Sequence, residues 1–271
     1  MYFIKAQVLS GRFMAGAWCN LSSSITTEMA SRLGFDWILI DQEHGPGDNI
    51  TLLHQIQAIG DRPSAPIVRI AWNEMFRFKR ALDLGASGIM IPYIETADDA
   101  TRAVGYLRYP PEGQRGVAMS PRTTGFGEDF EAYFSEANRN LLTVTQIETG
   151  QAVQNAREIA AVDGVDVLFV GPVDLSISVG LPGRFDDPDY RALLAKVASA
   201  AHDAGKAAGI LLPSGQLLEM VYDMGFRFVA VGSDSGMVMQ GMKNNLIAMA
   251  GFQNPSDCRG CLRYEKDGVA L

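Results

Sequence analysis

The sequence predicts one α/β domain, a closed (β/α)8 barrel of the TIM type. Three observations predict it. Eight short apolar, β-branched runs alternate with longer amphipathic stretches along 271 residues. Each run is nearly continuously apolar, which suits parallel strands buried on both faces. Eight strand–helix units in about 250 residues is the usual size of such a barrel. A large doubly wound sheet is the competing arrangement, but no G-x-G-x-x-G follows the first run, so the dinucleotide fingerprint is missing.

The eight runs are 13–18, 37–41, 66–70, 88–92, 142–147, 165–170, 207–211 and 228–231. The helical stretch 27–33 stops at Gly34, a residue suited to the left-handed C′ position. The stretch 73–84 stops at Gly85 and the stretch 217–224 at Gly225 in the same way. Thr96 caps a helix running through Tyr106, and Asp187-Pro188 supplies a cap and a first-turn proline before 193–204. The segment 108–140, rich in Pro, Gly and Arg and then helical, is an elaborated loop after the fourth strand. The barrel domain is expected over 1–250 and a polar tail over 251–271. His54 and His202 fall on helical faces, and Met237, Met239, Met242 and Met249 suit packing in the last helix or an oligomer contact.

Composition narrows the function. Hydrophobic residues at 47% and charged residues at 20% exclude a disordered, collagen-like or coiled-coil chain. Lys and Arg number 23 against 31 Asp and Glu, a net charge of −8, which offers no footprint for a nucleic-acid backbone. No apolar stretch reaches the roughly 18 residues of a membrane span. The first 13 residues hold no secretory apolar region. Three cysteines, with Cys258 and Cys261 in the tail, build no disulfide framework, so a cytoplasmic location is expected.

In such a barrel, chemistry sits at the C-terminal ends of the strands. Asp41-Gln42-Glu43-His44 follows the second run, Arg69 ends the third, and Gln146 and Glu148 end the fifth. Gly171-Pro172-Val173-Asp174 follows the sixth. Glu148 and Asp174 are two hard oxygen donors that suit Mg2+ or Mn2+ with open positions for substrate. One histidine is too few for a catalytic zinc site. Asp41 is close enough in sequence to orient the His44 imidazole and make it a general base. Arg69 offers a fork of donors to an oxyanion or enolate. The short helix opening near Asp174 leaves free N–H groups for a carboxylate. Together these suit metal-assisted proton chemistry beside the carbonyl of a 2-oxo acid. Taken singly, Glu148 also reads as a first-turn acid, Asp174 as a cap, His44 as solvated and Arg69 as half of a barrel ion pair.

With these residues in view, the chain resembles the 4-hydroxy-2-oxoheptanedioate aldolase family, class II pyruvate aldolases within the citrate lyase superfamily. The likeness spans about residues 8–248. It rests on Asp41-Gln42-Glu43-His44, Val68-Arg69, Arg108-Tyr109-Pro110-Pro111 with Arg115-Gly116-Val117, Gln146-Ile147-Glu148-Thr149, Gly171-Pro172-Val173-Asp174-Leu175-Ser176 and Gly209-Ile210-Leu211. The resemblance implies a modified barrel whose last helix is exchanged between subunits, in a homo-hexamer. It implies Glu148 and Asp174 as ligands of Mg2+, Mn2+ or Co2+, His44 with Asp41 as the base system, and Arg69 as the stabiliser of the enolate. Gln146, Gly171, Pro172, Val173 and Leu211 fall at the pyruvate end. Asp83 matches a position lining a neighbouring subunit's aldehyde site. In the loop 118–126, Thr124 takes the place of the family's Ser, and Gly125 falls where an Arg is more usual. That loop helps choose the aldehyde, so the departure leaves the aldehyde open.

The expected reaction is reversible cleavage of a 4-hydroxy-2-oxo acid to pyruvate and an aldehyde. A Schiff-base aldolase needs a lysine at a strand's C-terminal end, and Lys79, Lys196, Lys206 and Lys243 are placed elsewhere. Decarboxylation of oxaloacetate through the same enolate, as in a macrophomate synthase-like branch, is the alternative reaction. A non-catalytic binding protein on the same barrel is the alternative from another class.

Overall fold

The computed structural model describes residues 2–250. Its strands are β1 Met14–Cys19, β2 Trp37–Asp41, β3 Ala65–Arg69, β4 Gly88–Ile91, β5 Leu142–Ile147, β6 Val167–Val170, β7 Ala207–Leu212 and β8 Phe226–Val231. Each pairs in parallel with the next, and β8 pairs with β1, so the barrel closes. All eight coincide with the apolar runs to within two residues, because a strand buried on both faces is built mostly of apolar and β-branched residues.

The helices are α1 Lys5–Leu9, α2 Ser24–Leu33, α3 Asn49–Ile59, α4 Met75–Leu84, α5 Ala97–Leu107, α6 Phe130–Asn140, α7 Gly150–Gln154, α8 Ala156–Ala161, α9 Pro172–Ser178, α10 Pro188–Asp203, α11 Leu218–Asp223 and α12 Asp234–Ala250. Gly34 and Gly85 close α2 and α4 in the left-handed region, at φ 85 and 111. Thr96 and Asp99 cap α5 reciprocally, and Asp187 caps α10 ahead of Pro188. The segment after α5 runs through a 3-10 turn, Arg122–Gly127, into α6. The expected polar tail, with Cys258 and Cys261, lies outside the described residues.

Two apolar layers hold the barrel. One packs the helices against the outside of the sheet, and the other fills the inside. Inside, Trp37 stacks on Phe228 with ring centroids 4.0 Å apart, and Phe169 meets both edge-on. Such aromatic pairs add about 0.5–1.5 kcal/mol each beyond their burial. Gly16 makes room for this stack, since a Cβ there would sit 2.1 Å from the Trp37 ring. Trp18 lies one layer higher, 5.9 Å from Phe169.

At the opposite end α1 plugs the floor. Ile4 and Val8 join the inner layer, and Lys5 Nζ stands 2.9 Å from Asp166. No helix of the described residues is long and apolar enough to cross a membrane. On α12, Met237, Met239, Met242 and Met249 are each more than half exposed, so a single chain does not bury them.

Candidate active site

The register of the sheet builds the first half of the site. Asp41 and Arg69 are direct partners across β2 and β3, so their side chains meet inside the mouth. Arg69 donates from Nε to Asp41 Oδ1 at 3.0 Å and from Nη2 to Oδ2 at 2.5 Å. Its Nη1 stands 2.9 Å from Glu43 Oε2, and its guanidinium lies 4.7 Å from the Trp18 ring centre. Asp41 also accepts the backbone N–H groups of Glu43 and His44. Burial acts to raise the Asp41 pKa, but these donors outweigh it and hold the carboxyl below its ordinary value.

This arrangement corrects the expectation for His44. The Asp41 carboxylate is taken by Arg69, which sits in register and matches both oxygens. It does not reach the imidazole, which is 67% exposed with Nε2 4.0 Å from Glu43 Oε2. Asp41 instead fixes His44 through the backbone, by accepting the His44 N–H at 3.2 Å.

The second half comes from β5 and β6. Glu148 follows β5 and is 2% exposed. Its Oε1 accepts the N–H of Tyr93 at 2.8 Å, and its Oε2 accepts from Gln146 Nε2 at 2.9 Å. Tyr93 adopts a positive φ of 51, a strained conformation for a residue with a side chain and one that marks functional sites. Burial pushes the Glu148 carboxyl up to about 7; the Tyr93 amide opposes this, and the negative charges of Glu43 and Asp174 add to it. Burial likewise raises Glu43, against the pull of Arg69. Asp174 sits in the first turn of α9, behind the first-turn proline Pro172. Gly171 permits the close approach of the two halves: a Cβ there would fall 2.6 Å from Glu148 Oε2.

These elements enclose a cleft of about 360 Å3. Of the expected residues, Asp41, His44, Arg69, Gln146, Gly171, Pro172, Val173, Asp174 and Leu211 line it. Glu148 lies just beneath, against Gly171 and Gln146. Thr124 and Asp83 are not brought to this mouth. Thr124 is buried in the 3-10 turn and donates to the carbonyls of Met119 and Pro121. Asp83 ends α4 and pairs with Arg115, while Arg122 binds the neighbouring Leu84 carbonyl, so both belong to the outside of the barrel.

Sequence reasoning passed over Trp18, Asn20, Phe169 and Ser233, which also line the cleft, and over Glu43 and Tyr93. Glu43 had a signal, since it sits inside the Asp41–His44 motif. Trp18 and Phe169 had one too, as large aromatics in the upper half of inward-facing strands. The contribution of Tyr93 is a backbone N–H, which no side-chain pattern reveals.

The chemistry of the donors fits a hard divalent cation. Glu43, Glu148 and Asp174 act on one another as like charges, and Glu148 accepts hydrogen bonds only from neutral donors. An added cation would relieve that excess. Buried Oδ1 of Asn20 and Oε1 of Gln146 have no hydrogen-bond partner, so the cleft also offers unsatisfied polar atoms to a ligand. Among the described residues no cluster of three or more His, Cys, Asp or Glu side chains stands ready to hold a metal. Two protein carboxylates would therefore leave most of the coordination sphere to substrate and water.

The model of the HpcH/HpaI aldolase/citrate lyase family matches residues 14–241. The chain belongs to this family. A 5-keto-4-deoxy-D-glucarate aldolase of Salmonella paratyphi C is 42% identical over 232 residues, 86% of this chain and 90% of the relative. An HpcH/HpaI aldolase/citrate lyase family protein from Burkholderia cenocepacia is 35% identical, with a TM-score of 0.87 over 91% of this chain and 98% of that one. The HpcH/HpaI aldolase from Desulfitobacterium hafniense is 25% identical, with a TM-score of 0.86 over 92% and 97%. HpcH/HpaI aldolases are carbon–carbon lyases, and this chain is an enzyme of that class. The resemblance read from the motifs therefore holds at the level of the family. The similar curated enzymes are named for 5-keto-4-deoxy-D-glucarate, not for 4-hydroxy-2-oxoheptanedioate.

Proposed function

We propose that the chain is a metal-dependent aldolase that cleaves a 4-hydroxy-2-oxo acid reversibly to pyruvate and an aldehyde. One observation carries the reading. A buried carboxylate that accepts only neutral hydrogen bonds, Glu148, and a second carboxylate, Asp174, meet at one cleft with a guanidinium locked in place, Arg69. The name of the Salmonella relatives supports it. Numbered from its oxo-acid end, 5-keto-4-deoxy-glucarate is itself a 4-hydroxy-2-oxo acid. Retro-aldol cleavage would give pyruvate and a three-carbon aldehyde acid, which makes this compound the first substrate to try.

Glu148 and Asp174 would hold the divalent cation, Mg2+, Mn2+ or Co2+, which supplies Lewis-acid polarisation of the 2-oxo acid. Gln146, anchored on Glu148, keeps its free Oε1 at the pyruvate end. The first N–H groups of α9, at Val173 and Asp174, lack intrahelical partners and face a carboxylate favourably. Arg69 uses two of its N–H groups on Asp41 and sets Nη1 in an ion pair beside Glu43, and the N–H groups left over meet the oxygen on which enolate charge develops. His44, in the cleft wall and open to solvent, takes the proton from the 4-hydroxyl in cleavage and returns it in synthesis. A Schiff base has no candidate here, since among the described residues no lysine lines the cleft.

Exchange of the pyruvate methyl protons into D2O, followed by NMR, tests the reading without knowledge of the aldehyde. Chelation should stop exchange and added Mg2+, Mn2+ or Co2+ should restore it. Glu148→Ala and Asp174→Ala should each lower it by more than about 1000-fold. Undiminished exchange in both variants, or borohydride trapping of pyruvate on the enzyme, would sink the assignment. Comparing pyruvate release from oxaloacetate with release from a 4-hydroxy-2-oxo acid separates the decarboxylase alternative.

The assembly forms part of the same proposal. The exposed methionines of α12 support exchange of this helix within a homo-hexamer, and a neighbouring copy would bring its Asp83 and 118–126 loop toward the aldehyde. Light scattering at micromolar protein, with a monomer as the contrary result, tests it.

A further inference from the structure

We propose that the floor end of the barrel carries a second binding site, for a small organic anion with a carboxylate or phosphate head on an apolar body. The site is a cleft of about 680 Å3 between the end of α1, the second half of α10 and the first residues of β7 and β8. That volume is within the range of small-molecule sites. It is separate from the catalytic mouth, because β7 and β8 enter it by their N-terminal ends.

Its charge is the opposite of the molecule's. The chain carries −8, yet the cleft is lined by Lys206, Arg227 and His202 and by no Asp or Glu. Three acids nearby have partners of their own, while the exposed Asp223 precedes Met224 of the lining. Asp166 pairs with Lys5 at 2.9 Å, Asp163 with Arg108 at 2.7 Å and Asp203 with Arg157 at 3.5 Å. Asp163 and Asp166 also feel the charge of Lys206, but among the described residues Lys206 makes no ion pair within 4 Å. It is a half-buried cation left over from the local pairing.

Arg227 is pre-set. Its Nη1 donates to the carbonyls of Tyr222 and Phe226 at 2.6 and 2.9 Å, and its guanidinium stacks 3.9 Å from the Tyr222 ring centre. The side chain is thereby fixed while Nε and Nη2 remain for a planar or tetrahedral oxyanion. Ala198 and Ala208 make the wall beside these cations small and apolar, which suits the body of an organic ligand rather than a bare ion. Ser10 and Ser199, both on the exposed rim, are the remaining polar side chains, and the Ser199 hydroxyl donates to Asp203 at 3.4 Å.

Titration calorimetry on the full chain tests the site with four probes: phenyl phosphate, benzoate, inorganic phosphate and acetate. The first two should bind more tightly than the last two, and the stronger of the pair identifies the head group. The double variant Lys206→Gln, Arg227→Gln should weaken the better probe by about tenfold or more and leave pyruvate methyl exchange unchanged. Ser199→Glu, which removes no cation and changes only an exposed position, should weaken it too. Glu148→Gln, at the mouth, should leave binding as it is, and raised salt should weaken it. No heat of binding from any probe at about 10 mM, equal affinity in the Lys206/Arg227 and Ser199 variants, or loss of binding in Glu148→Gln would overturn the proposal.

Discussion

The two ends of the barrel bury the same kind of pair and treat it differently. At the mouth Arg69 meets Asp41, and at the floor Lys5 meets Asp166. Both aspartates are almost completely buried. Yet Asp41 is held below its ordinary pKa while burial drives Asp166 above it. Asp41 accepts from two Arg69 nitrogens and from two backbone N–H groups. Asp166 accepts from Lys5 and from the Thr143 N–H. A cation alone does not offset desolvation; the count of aligned donors decides. Glu148, with neutral donors only, is the limiting case at about 7.

The comparison breaks first at Arg69. Arg69→Met leaves Asp41 and Glu43 buried without a counter-charge and should cost about 3–5 kcal/mol in urea unfolding, besides abolishing pyruvate exchange. Glu148→Gln tests the limiting case. A carboxyl raised from 4.5 to about 7 binds its proton more tightly in the folded chain. Its contribution is therefore present below pH 4.5 and lost as pH rises through 7. In chelator-treated protein Glu148→Gln should remove that decline and gain up to about 3 kcal/mol at pH 8, read from unfolding midpoints at pH 5 and 8.

The floor should give smaller effects. Lys5→Met should cost about 1–2 kcal/mol at neutral pH. Asp166, already raised, would rise further, so the deficit should shrink as pH falls and the carboxyl protonates. Asp41 has the opposite sign, since its lowered pKa adds stability above 3.8 that is lost as pH falls through the folded value. Gly171→Ala is the mildest change. Its Cβ displaces the Glu148 carboxylate and should reduce exchange about tenfold, with an unfolding midpoint close to the parent's.

The strands were legible because burial on both faces writes itself as a short, mostly apolar and β-branched run, interrupted only at places such as Thr143, Thr145 and Arg227. Several helices announced themselves by cap and stop residues. α3 did not, because its reciprocal cap pairs Asp48 with Thr51 rather than with the usual Glu or Gln. α1 has no side-chain cap and is five residues long, too short for periodicity to show. At the site, the strand-end residues were readable and the links between them were not. Whether Asp41 turns to His44 or to Arg69 depends on the register of β2 against β3, which neither strand encodes alone. The Tyr93 amide on Glu148 depends on a backbone torsion. Thr124 and Asp83 lie away from the chain's own mouth, since the 3-10 turn follows α5 and packs by the end of α4, and a role at a neighbouring copy's mouth depends on an assembly that one chain does not display.

The three anchored nitrogens of Arg69 and the Trp18 ring beneath it have a further consequence. A side chain held on four sides has little reorganisation left to undergo when charge develops beside it. Its response to a bound anion is then that of a fixed electrode. Substrates that differ beyond the 2-oxo acid end would meet the same field, and selection among them would fall to the parts of the mouth that can still move.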